Sequence, residues 1–122
     1  MTGILAVLLV LASAIPALAV ECRSVRGHVD RQPVTAERRA ELRGDTLHLD
    51  GRFEGGTAST RLLPCRELYP GILCTQMFGS LEMTVTTSRN QMIETVTERA
   101  TGRELANIAY QCSGALTLRR RR

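Results

Sequence analysis

Apolar and polar residues alternate one by one along most of this chain, and that period of two constrains its fold more than any other feature. In TLHLDGRFE, residues 46–54, Leu47, Leu49 and Phe53 share one face, while Thr46, His48, Asp50, Arg52 and Glu54 share the other. Side chains two apart lie on the same side of a strand, so such a segment reads as a half-buried β-strand. Gly44-Asp45 before it and Gly55-Gly56 after it are turn punctuation. SLEMTVTT, residues 80–87, alternates again, with Leu81, Met83 and Val85 inward. Ser88-Arg89-Asn90-Gln91 then makes a hairpin connection to MIETVTER, which is rich in β-branched residues. A turn at Thr101-Gly102-Arg103 leads into LANIAYQC, where Ile108, Tyr110 and Cys112 share a face. The early stretch VECRSVRGHVD reads more weakly as a strand.

One segment departs from the pattern. TAERRAELR, residues 35–43, consists of good helix formers with Thr35 as an N-cap and Gly44 as a stop. At about two turns it is marginal as a helix, and a charged hairpin arm is the competing reading. Several short strands with turn signals between them predict an all-β fold, a small antiparallel sandwich or barrel, with residues 35–43 open between one short helix and a strand.

Four cysteines, Cys22, Cys65, Cys74 and Cys112, supply the second constraint. An even count in a short exported chain reads as a disulfide framework with three possible pairings. The expected pairing is Cys65 with Cys74, flanking a turn, and Cys22 with Cys112, joining the two ends of the domain. In the chain-entropy model these closures contribute roughly 3 and 4.5 kcal/mol, comparable with the whole net stability of a small domain. The chain has no C-x-x-C, and the spacing of Cys65 and Cys74 fits no common zinc site.

Export is read from the front of the chain. Residues 4–18 carry no charge and are interrupted only by Ser13 and Pro16, too short a run for a comfortable membrane span of about 20 residues. Ala17 and Ala19 occupy the small-residue positions of a secretory cleavage site, which places the cut after Ala19. No Lys or Arg precedes the run, a departure from the usual leader, and an uncleaved N-terminal anchor is the alternative. Glu21 directly before Cys22 argues against lipid attachment to that cysteine. The organisation is therefore a signal peptide over residues 1–19, one exported β domain over 20–118 and a basic tail over 119–122, with a periplasmic or secreted location.

The domain has a modest core. Its aromatics are Phe53, Tyr69, Phe78 and Tyr110, with no Trp, and a domain of roughly a hundred residues buries only about two-thirds of its unfolded surface. All sixteen cations are arginine, 12 acids oppose them, and the net charge of +4 is carried by Arg119, Arg120, Arg121 and Arg122. The domain proper is neutral and has no basic patch of the kind that marks a nucleic-acid binder. The tail is solvated or makes at most a weak contact with anionic lipid, at about 1 kcal/mol per Arg.

Three constellations are candidates for function. His28 with Asp30 and His48 with Asp50 form two H-x-D pairs, each on one face of a strand, and adjacent strands would assemble them around a divalent metal. Both lie on polar faces, where ordinary cross-strand pairs also occur, so no metal or cofactor is assigned. CRELYPGILC, residues 65–74, is a braced loop with Leu68, Tyr69, Pro70 and Ile72 at its tip, a candidate for binding. The competing reading is a Pro-Gly turn at 70 and 71 with Tyr69 and Ile72 folded onto the core, which the scarcity of aromatics favours. Arg43-Gly44-Asp45 matches an adhesion tripeptide, but Gly-Asp serves the turn. No nucleophile elbow, triad pattern or phosphate-binding loop is present, so a non-enzymatic role is expected.

The format, a leader and then disulfide-braced strands, is similar to small envelope proteins of bacteria, including small β-barrel inhibitors of cell-wall hydrolases. The similarity is one of format, carries no shared motif and names no residues. The expectation is a small exported binding or interaction protein, inhibitor-like in format, whose partner is an envelope protein or small ligand. The alternatives are a metal-binding protein using the H-x-D pairs and a purely structural envelope protein.

Overall fold

Alternation of this kind buries a face only if the strands close on themselves or stack, and here they close. A computed structural model of the chain describes residues 18–53 and 59–118. Nine strands follow in order: β1 (Leu18–Val29), β2 (Gln32–Pro33), β3 (Ala36–Arg43), β4 (Thr46–Phe53), β5 (Ser59–Leu68), β6 (Gly71–Phe78), β7 (Leu81–Ser88), β8 (Gln91–Glu98) and β9 (Glu104–Cys112). Every neighbouring pair is antiparallel, and β9 returns to pair with β1, so eight strands form an up-and-down barrel. The short β2 is added to the end of β1 through His28 and Val29. Closure removes most of the sheet edge that would otherwise template association, β5 and β6 being paired only through residues 65–68 and 71–74.

The expected all-β class and both disulfides are present. Cys22–Cys112 joins directly opposed residues of β1 and β9 and so pins the closing seam, while Cys65–Cys74 joins opposed residues of β5 and β6. That second bridge sits where β5 changes partner. Residues 59–64 pair with β4, whereas Cys65 to Leu68 pair with β6. Away from the bridge, the Arg61 guanidinium lies 5.0 Å from the centre of the Phe78 ring, a cation–π contact between the diverging strands.

Of the two readings open for residues 35–43, the strand is the one that forms: 36–43 are β3, and no helix occurs among the described residues. Ala36, Arg38, Ala40 and Leu42 point into the barrel, and Glu37, Arg39 and Arg43 point out. The segment's preference for helix is overridden because β1 and β4 flank it and pair with it on both sides. The weak alternation of β1 also has a cause. Ser24 pairs with Tyr110 and Arg26 with Ala109, leaving Val25 as a β-bulge. The extra residue switches the buried phase from Val20 and Cys22 to Gly27 and Val29.

The lumen is filled. Leu47, Leu49, Leu63, Ile72, Val85, Met92, Ile108 and Tyr110 are fully buried in it. One end carries the β3–β4, β5–β6 and β7–β8 turns, and Leu116 closes it from the segment after β9. The cut expected after Ala19 would fall two residues inside β1, after the pairs Leu18 with Leu42 and Ala19 with Glu41. The side chains of Arg52 and Phe53, residues 54–58 with Glu54 and Gly55-Gly56, residues 1–17 of the expected leader and the arginine tail lie outside the described residues.

Candidate functional site

Two places combine polar or exposed chemistry with firm positioning. The first is the β5–β6 hairpin. Leu68 opposes Gly71, so the turn is Tyr69-Pro70, one residue earlier than the Pro-Gly turn expected from sequence. Tyr69 is 89% exposed and Leu68 43% exposed. The reading that folds Tyr69 onto the core therefore fails, while it holds for Ile72, which is fully buried. Of the four candidate binding residues, Leu68, Tyr69 and Pro70 stand at the tip, and Ile72 is removed from any surface role.

The hairpin is held at its base as well as by Cys65–Cys74. The Ile72 N–H donates to Thr87 Oγ1 at 3.0 Å, and the Thr87 hydroxyl donates to the Leu116 carbonyl at 3.5 Å. Gly71 permits this closeness, because a side chain there would run into the Thr87 backbone. The Cys65 N–H donates to the Asp45 carbonyl at 2.7 Å, tying the hairpin to the β3–β4 turn. Arg43-Gly44-Asp45 forms that turn, with Arg43 Nε donating to Glu41 Oε1 at 2.7 Å.

The second place was missed from the sequence. Arg38, Glu94 and Tyr110, all buried, meet inside the barrel. Arg38 reaches from β3 and donates through Nε to Glu94 Oε1 at 3.1 Å and through Nη2 to Oε2 at 2.8 Å. The Tyr110 hydroxyl donates to Glu94 Oε1 at 2.8 Å. Burial opposes the Arg38 charge, but the Glu94 hydrogen bonds and negative charge outweigh it and raise the guanidinium above its ordinary value. Tyr110 is pushed well above the usual phenol value, first by burial and then by the adjacent Glu94 charge. Both carboxylate oxygens are thus engaged, and the cluster acts as a strut between β3 and the β8–β9 pair. The signal was present in the sequence: Arg38 falls between Ala36 and Ala40, and Glu94 between Met92 and Val96, each a charge on the apolar phase.

The two H-x-D pairs are not brought together. His28 is on β1 and His48 on β4, with β3 between them. His28 Nε2 lies 3.7 Å from Glu104 Oε1, and Asp50 accepts from the Thr60 hydroxyl at 2.6 Å. Among the described residues, no group of three or more His, Cys, Asp or Glu is placed to hold a metal ion. An open groove of about 490 Å³ runs along the bulged part of β1, lined by Glu21, Arg23, Val25, Glu37 and Gln111. Its charges are engaged across strands, Glu21 with Arg39 at 3.2 Å and Arg23 with Glu37 at 3.9 Å. Comparison of the chain with protein-family models, with curated proteins and with solved structures finds no match in any of the three.

Proposed function

We propose that this protein is an exported, disulfide-braced binding module of the cell envelope that engages a larger partner through Leu68, Tyr69 and Pro70. The observation that carries this reading is Tyr69, 89% exposed at the end of a hairpin clamped by a disulfide. Exposing the larger part of a scarce aromatic is costly for a small core, and a tip already fixed in shape loses little entropy on binding. The filled lumen favours a surface contact over carriage of a small molecule inside the barrel. The signal-like residues 1–19 and the two disulfides favour an oxidising location outside the cytoplasm. A rigid projecting hairpin also suits the inhibitor-like format, in which a tip enters a partner's cleft.

The test is site-specific photocrosslinking in intact cells, with benzoylphenylalanine at position 69 and, separately, at the exposed wall position Ile93. A discrete protein or lipid adduct at 69, absent at 93, is the expected result. Equal labelling at both positions, or none at 69, would remove the hairpin from any binding role.

A further inference from the structure

We infer that the unpaired stretch of β6, Thr75 to Phe78, takes one strand of an extended peptide from another protein, with an acidic side chain of that peptide paired to Arg61. The inference goes beyond the hairpin reading and does not depend on it, since these residues lie at the far end of β6 from Gly71. An antiparallel ladder sends the N–H and C=O of successive residues to alternate sides. The Ile72 N–H points to β7, where Thr87 Oγ1 accepts it, so residues 73, 75 and 77 face β5. The Cys65 N–H points to the β4 side, where the Asp45 carbonyl accepts it, so residues 60, 62 and 64 face β6. The β5–β6 ladder nevertheless ends at Cys65 with Cys74, and no residue of β5 is paired with residues 75–78. Pro64 has no N–H to offer the Thr75 carbonyl, which is the next contact the ladder would make. The Met77 N–H is met instead by Gln76 Oε1 at 3.0 Å, a side chain of its own strand standing where a neighbouring carbonyl would.

Folded proteins blunt a free edge with proline, charge or a bulge. The β5 side carries Pro64, but TQMF, residues 75–78, has neither proline nor charge. The β6 edge is therefore the one that templates a strand, through its main-chain groups. The flanking side chains set which strand. Arg61 shares the inward phase of Leu63, and Phe78 that of Cys74, so their cation–π contact lies on the inner side. Leu62 and Met77, both exposed, stand on the outer side. Among the described residues no carboxylate is paired with Arg61. An added strand presents its side chains alternately to the two sides. The pattern that fits is apolar, acidic, apolar, with the apolar residues against Leu62 and Met77 and the acid at Arg61. A second copy of this chain is less complementary, because its own free β6 edge carries no acid.

The experiment is selection of displayed linear heptapeptides of random sequence on the oxidised protein as recovered from its cells, followed by fluorescence anisotropy of a labelled selected peptide. The selected sequences should share the apolar, acidic, apolar pattern. Thr75→Pro removes an N–H that faces away from β7 and should weaken binding at least about tenfold, one main-chain donor being lost and one peptide carbonyl left unpaired. Arg61→Glu should weaken it by about fivefold, the upper range for an exposed ion pair, and reverse the preference between a central Glu and a central Lys in the peptide. Tyr69→Ala should leave binding unchanged. With the parent protein, methylating the peptide's main-chain nitrogens one at a time should weaken binding at alternate residues only, a reading that stands even where Thr75→Pro fails to fold. Failure to select any peptide, equal binding by a folded Thr75→Pro variant, an unchanged charge preference in Arg61→Glu, or indifference to methylation would overturn the inference. Loss of binding in Tyr69→Ala with none in Thr75→Pro would move the peptide to the hairpin tip, and a parent dimer that Thr75→Pro dissociates would assign the edge to a second copy; either overturns the inference and leaves the hairpin reading standing.

Discussion

Replacing Glu94 with Gln should destabilise the barrel by about 3–5 kcal/mol, the usual cost of removing one partner of a buried ion pair. The Arg38 and Glu94 side chains are 3% and 2% exposed, and Glu94 accepts two hydrogen bonds from Arg38 and one from Tyr110. Gln preserves the shape but discharges one partner, and because both carboxylate oxygens accept from Arg38 its NH₂ faces a guanidinium donor in either orientation. At about 4–8 °C per kcal/mol for a domain of this size, the melting temperature should fall by more than about 12 °C. Urea unfolding followed by far-ultraviolet circular dichroism, with the slope compared between variants, measures it. The companion variant carries Arg38→Met, Glu94→Leu and Tyr110→Phe together and should lie near or above the parent, because neither a charge nor an unpaired phenol hydroxyl is then left buried. A cost under about 1 kcal/mol for Glu94→Gln would mean that water reaches the pair, and the description of the lumen would be wrong. A triple variant as unstable as the single would assign the loss to packing instead of charge.

Alkaline unfolding should report on Tyr110. Its phenol is held above the value of about 10 it has in the unfolded chain, so the unfolded state loses its proton first as pH rises. Stability from this group is complete below about pH 10 and falls above it by up to about 1.4 kcal/mol per pH unit; Tyr110→Phe should flatten that decline in chemical denaturation at pH 9 to 11. Gly51→Ala should be strongly destabilising in the same assay, because Gly51 has φ 152° and a side chain there would strike the Glu37 carbonyl and lie 2.8 Å from Arg38 Cδ; parent-like stability would show that β3 and β4 can part locally. Substituting Cys22 and Cys112 together by Ala opens the β1–β9 seam covalently and should cost roughly 4.5 kcal/mol, with unchanged urea unfolding as the contrary result. Tyr69→Ala, by contrast, should leave the melting temperature within about 2–4 °C of the parent, as surface changes fall within about 0.5 kcal/mol.

Alternation and turn residues alone specify the fold class, the turns at Arg89-Asn90 and Gly102, and the inward residues Leu47 and Leu49 of β4 and those of β7 and β9, and they favour, among three pairings, the one the cysteines form. These follow from short-range rules: a period of two sets two faces, turn residues mark reversals, and bridge candidates flank a turn or join the domain ends. Other outcomes depended on what each strand lies beside, which no local pattern encodes. Residues 36–43 became a strand because β1 and β4 flank them, against their own helix preference. The pairing that closes β1 on β9 carries a bulge at Val25, which blurred the alternation that would have announced it. Arg38 and Glu94 are 56 residues apart and are tolerated in a lumen only because closure brings them within 2.8 Å of one another. Tyr69 and Ile72 looked alike in CRELYPGILC; the register of β5 on β6 turned one into solvent and the other into the core. Local pattern specifies the faces of a strand, while the energy of burying or exposing a given side chain depends on neighbours that only the closed barrel supplies.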